Sequence, residues 1–104
     1  MIAVLMPRHY AEMALGKDER DLLDELGEVY YNPNLSEELQ GEERRHVIGQ
    51  STALITGWQT PWITREEIDN APDLCAIAHA MGSTNGWDIA EDYGGIKVFN
   101  AAEG

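Results

Sequence analysis

Cysteine, basic residues and long apolar runs are all scarce in this chain of 104 residues. The lone Cys75 excludes an intrachain disulfide and cannot make a cysteine metal site by itself. It stands in an apolar run, which predicts a buried, inert thiol and a protein of the reducing cytoplasm. Seven basic residues face nineteen acidic ones, for a net charge of −12 spread along the chain. Such a surface repels phosphate backbones, so neither nucleic acid nor an anionic membrane is expected as a partner. The longest apolar run, Met1–Met6, is too short to cross a bilayer, and no charged, then apolar, leader precedes it. No Gly-x-Gly-x-x-Gly and no Walker loop occurs, so the chain encodes no dinucleotide or P-loop nucleotide site. His9, His46 and His79 are scattered without metal-ligand spacing.

What remains is 43% hydrophobic residues, enough for one packed core and one domain over residues 1–104. Ile2–Met6 reads as a continuous apolar strand closed by Pro7. From Asp18 to Leu26, Leu22, Leu23 and Leu26 share one face at helical spacing, Leu15 lies further back, and Gly27 supplies a stop. Glu28–Asn32 is a short β-prone run, and Ser36–Ile48 a polar helix that can begin at Gly41. Thr52–Thr56 is a third strand. Thr64 and Glu67 then have the spacing of a capping box, in a helix that Asn70-Ala71-Pro72 ends. Leu74–Ala80 is a fourth strand, Trp87–Tyr93 a short helix and Ile96–Asn100 a fifth strand.

Continuous apolar strands alternating with helices predict an α/β fold, with a parallel sheet covered on both faces. Right-handed crossovers then give a flavodoxin-like three-layer sandwich of order 2-1-3-4-5, with Ile2–Met6 and Thr52–Thr56 adjacent at the centre. Ligands of such sheets collect beyond the carboxyl ends of the strands. Three segments fall there: Pro7–Tyr10, Gly57–Trp62 and Met81–Asn85. In the last, Met81-Gly82-Ser83-Thr84-Asn85 is a short loop whose backbone amides can converge on a carboxylate. Trp58 and Trp62 flank Pro61, either to wall a pocket or to cover the sheet end. His79 reads as a hydrogen-bonded structural histidine rather than a base. The loop after strand one lacks the hydroxyls and glycines of a flavin-phosphate loop, and strands one and three lack the terminal acids of a phospho-receiver domain.

From Ala53 onward the chain resembles the N-terminal, substrate-side domain of the D-isomer-specific 2-hydroxyacid dehydrogenases. The likeness is carried by Leu54-Ile55-Thr56-Gly57-Trp58-Gln59-Thr60-Pro61, by Ala71-Pro72-Asp73-Leu74-Cys75-Ala76-Ile77-Ala78-His79-Ala80 and by Gly95-Ile96-Lys97-Val98-Phe99-Asn100-Ala101. It covers about half the chain. The resemblance implies a substrate-binding lobe of an NAD(P)-dependent oxidoreductase acting on a small 2-hydroxy or 2-oxo carboxylate. It places substrate contacts at Trp58 and Gln59 and at Met81, Gly82, Ser83, Thr84 and Asn85. Many members have Gly-x-Gly-x-Asp where this chain has Met81-Gly82-Ser83-Thr84-Asn85, which leaves the acid unassigned. Members continue beyond strand five into a dinucleotide-binding domain that carries the catalytic arginine, glutamate and histidine. The expectation is therefore no catalytic, cofactor-binding or metal-binding residue among these 104, NAD or NADP only in a full-length enzyme, and self-association, as a homodimer, through surfaces that the rest of the enzyme covers. The alternative is a stand-alone flavodoxin-like interaction module with no enzymatic role.

Overall fold

The computed structural model describes residues 1–57, 60, 62–80 and 87–100. Five short strands form one all-parallel sheet: β1 (Ile2–Val4), β2 (Val29–Tyr31), β3 (Ala53–Thr56), β4 (Ala76–His79) and β5 (Lys97–Asn100). Their order is β2-β1-β3-β4-β5, as the sequence predicts. Ile2 stands opposite both Val29 and Ala53, and Ile77 opposite both Leu54 and Val98, so β1 and β3 are adjacent and the apolar side chains lie in cross-strand rows.

Five helices connect the strands: α1 (Arg8–Ala14), α2 (Lys17–Leu26), α3 (Gly41–Gly49), α4 (Arg65–Asp69) and α5 (Asp88–Asp92). The flavodoxin-like three-layer arrangement follows, but its two outer layers are unequal. On one face, Ala3, Leu5, Leu54 and Ile77 pack with Val47, Ile48, Ile68, Trp87 and Ala90 from the α3–α5 side into a core of fourteen buried residues. On the other face, Val4, Met6 and Ala11 form a core of three, under Leu15 and Leu23 from the α1–α2 segment. Beyond it the covering thins. Along β3 and β4 burial alternates: Leu54, Thr56, Ile77 and His79 are buried, while Ala53, Ile55, Ala76 and Ala78 are half-buried. At the sheet edge Phe99 is 48% exposed. Both faces are covered, as the sequence predicts, but to different depths.

Two local differences, and one start that the sequence left open, have physical causes. The segment Pro7–Tyr10, read from sequence as the connection after strand one, opens a helix, Arg8–Ala14. Proline with its fixed φ is suited to the start of a helix, and the Pro7 carbonyl accepts from the Tyr10 and Ala11 amides. The polar stretch from Ser36 becomes helical at Gly41, the later start that the sequence allows, and its φ of 59° is easy for glycine. Cys75 is exposed, not buried, because β4 begins one residue later, and its thiol donates to the Thr52 carbonyl.

Candidate functional site

The carboxyl ends of β1, β3 and β4 meet at the centre of the sheet, where parallel α/β sheets place their ligands. The first requirement is close approach of the chain there. A Cβ on Gly57 would collide with the Met6 thioether, so any larger residue there requires the buried Met6 side chain to move. Gly57 is tied to Thr60, three positions on. The Gly57 amide donates to Thr60 Oγ1 at 3.2 Å and the Thr60 amide returns to the Gly57 carbonyl at 3.2 Å. Thr60 is buried.

The far side of the same connection is anchored by a buried ion pair. Arg44 Nε lies 2.6 Å from Glu67 Oε2, with both side chains more than nine-tenths buried, and Arg44 Nη2 donates to the Trp62 carbonyl at 3.2 Å. Glu67 also closes the capping box predicted from sequence: its Oε1 accepts from the Thr64 amide at 2.9 Å while Thr64 Oγ1 accepts from the Glu67 amide at 3.2 Å. One carboxylate therefore ties α3, α4 and the end of the β3–α4 connection together.

At the end of β4, the Nδ1 of His79 hydrogen-bonds Thr56 Oγ1 at 2.8 Å, and its ring lies 5.6 Å from that of Trp87. Burial depresses the His79 pKa below the ordinary histidine value, which favours the neutral imidazole at pH 7. A hydroxyl beside an imidazole suggests nucleophile and base. Here Thr56 is fully buried, so no substrate carbon can reach its oxygen. The pair is a hydrogen bond inside the core, as the sequence reading of His79 anticipates, and it holds β3 and β4 in register just below the ligand end. Trp87 Nε1, in the same neighbourhood, is buried with no hydrogen-bond partner among the described residues.

Of the candidate contacts, Trp58, Gln59, Met81, Gly82, Ser83, Thr84 and Asn85 all lie outside the described residues. Their described flanks are close in space. Gly57 and Thr60 bracket the first pair; Ala80, whose amide donates to the Thr56 carbonyl at 2.7 Å, and Trp87 bracket the loop. Trp62 is 62% exposed and does not cover the sheet end. The segment Pro7–Tyr10 forms the start of α1, and of its residues Arg8 lines a concavity apart from the β3–β4 end. Among the described residues no three His, Cys, Asp or Glu side chains converge as a metal site, and no helix is long and apolar enough to cross a membrane.

Sequence reasoning passed over a separate concavity in which Arg8, Arg20 and Tyr31 meet. Its one sequence signal is that three of the seven basic residues, Arg8, Lys17 and Arg20, fall within the first twenty positions. No known protein family matches the chain, and no curated protein is significantly similar to it.

Proposed function

We propose that this chain is the substrate-side lobe of an NAD(P)-dependent 2-hydroxyacid dehydrogenase, holding the carboxylate of a 2-hydroxy or 2-oxo acid on the amides of Gly82–Asn85. The observation that supports it most is the parallel order 2-1-3-4-5, with Gly57 and Ala80, the described residue before Met81, just past the carboxyl ends of the neighbouring strands β3 and β4. The chain itself offers no fit to a dinucleotide. It has no glycine fingerprint after any strand, and the lobe is assigned to acid binding only.

One loop of amides without an opposing arginine supplies about 1–3 kcal/mol, so affinity for glyoxylate or pyruvate is millimolar at best. An amide NMR titration with glyoxylate tests the reading. Shifts should centre on Gly82–Asn85, with Ala80 and Trp87 at their border. Shifts spread over the acidic helices instead would remove the site. Calorimetry should show no NADH binding, and micromolar affinity would overturn the assignment.

The thin covering of β3–β5 favours a second reading, an interaction module that associates through that sheet face. Phe99 and the half-buried Ile55 and Ala78 supply an apolar surface there. The charge of −12 opposes self-association, but at physiological salt charges beyond about 8 Å are largely screened. In sedimentation equilibrium a homodimer is expected at micromolar concentration, and Phe99→Asp should return it to 11.6 kDa. A wild-type chain already at that mass would dismiss both self-association and this reading.

A further inference from the structure

On the α1–α2 side of the sheet, near the carboxyl end of β2, lies a cleft of about 400 Å³, within the range of small-ligand sites. Strands β2 and β4 are three intervals apart, roughly 14 Å at the usual spacing, so this cleft is separate from the β3–β4 end. Its floor is apolar at Ala11 and aromatic at Tyr31. Its walls carry three cations, Arg8, Lys17 and Arg20, and three carboxylates, Glu12, Asp21 and Asp24.

These charges are not all engaged with one another. Lys17 Nζ donates to Asp21 at 3.0 Å, and the Tyr31 hydroxyl donates to Asp24 at 3.3 Å. Burial, and then the Asp24 carboxylate, raise the Tyr31 pKa, so the phenol stays a neutral donor. Arg8 and Arg20 form no ion pair among the described residues. Arg20 is half-buried, and its Nε is shut away from water with no hydrogen-bond acceptor. A guanidinium N–H taken from water without an acceptor is costly, and a carboxylate is the planar partner that matches the fork of the half-buried group. Asn32, at the back of the cleft, cannot serve as that acceptor. Its Oδ1 accepts from the Asn34 amide, and its Nδ2 donates to the Leu5 and Glu37 carbonyls.

We propose that this cleft binds a small monocarboxylate with an apolar body, the carboxylate set against the Arg20 guanidinium with Arg8 alongside, and the body lying on Ala11 and Tyr31. The balance of charge selects the ligand. With three cations offset by three carboxylates, inside a chain of net charge −12, the site accommodates one negative charge and disfavours a phosphate dianion.

Benzoate and inorganic phosphate are the probes. In an amide NMR titration benzoate should give saturable shifts at Ala11, Arg20 and Tyr31, and phosphate should not displace it. Arg20→Gln should weaken benzoate about tenfold or more, the loss expected for one charge-assisted hydrogen bond. Exposed Glu12 gives a milder variant that does not threaten the fold: Glu12→Gln should tighten benzoate by removing a like charge. Absence of saturation up to about 10 mM, equal affinity in Arg20→Gln, or equal competition by phosphate would each overturn the assignment. Glyoxylate shifts at Gly82–Asn85 bear on the other site alone, so the two proposals fail separately.

Discussion

The two faces of the sheet are built from the same five strands but are finished to different degrees. The face under α3, α4 and α5 has fourteen buried residues in one cluster, with a buried Arg44–Glu67 pair stitched into its helical layer. The face under α1 and α2 has three, and α2 has no buried residue at all. Helix α2 leaves Leu22 and Leu26 more than half exposed, although its apolar side chains have helical spacing. Amphipathic pattern thus predicts that a helix forms, not that its apolar stripe is fully covered. The better-packed face fixes the strands, and the thinner face leaves room for a cleft.

The largest test of this contrast is to break the ion pair. Arg44→Ala strands a buried Glu67 carboxylate and takes away the clamp on the Trp62 carbonyl, and such losses typically cost about 3–5 kcal/mol. Urea unfolding should show the midpoint falling with little change in slope. A loss below about 1 kcal/mol would place the pair among surface pairs in energetic terms.

A matched pair of truncations compares the faces directly. Ile77 is fully buried on the α3–α5 face, and Ile55 on the other is half-buried. Ile77→Ala should cost about 3 kcal/mol and Ile55→Ala less than half of that, since less surface returns to water and less cavity is left. Equal costs, measured by the same unfolding experiment, would erase the distinction.

The smallest effect concerns pH. The folded His79 pKa lies below its unfolded value of about 6.5, so the unfolded chain binds the extra proton. Stability is unaffected by His79 above pH 6.5, and falls as pH drops from there towards the folded pKa. His79→Gln should flatten that part of the stability profile. An unchanged slope in the variant would show that His79 is protonated as readily in the folded chain.

How much of this was legible in the sequence depends on how local the signal is. Strand order could be read because unbroken apolar runs such as Thr52–Thr56 and Leu74–Ala80 separate helical segments. The α4 capping box could be read because two side chains three positions apart define it. Helix α1 was missed because Pro7 both ends a strand and starts a helix, and a proline taken as a stop hides the second role. The candidate loop contacts came from a resemblance, and they lie outside the described residues. The α1–α2 cleft had almost no linear signature. Arg8, Arg20 and Tyr31 come together only when α1 and α2 fold back beside β2.

One buried side chain also governs how the folded chain ages. The Asn32 amide binds the Leu5 and Glu37 carbonyls and the Asn34 amide, joining the ends of β1 and β2 to the segment that follows. Conversion to aspartate would remove both donors and place a charge where burial is nearly complete. The usual route to that conversion needs the next residue's backbone nitrogen to attack the side-chain amide with loss of ammonia. Here the next residue is Pro33, which has no N–H, so the cyclic imide cannot close. Asn85, followed by Gly86, has no such protection in its sequence. Slow deamidation in storage should therefore add acidic charge variants at Asn85 while the clamp at Asn32 stays chemically intact.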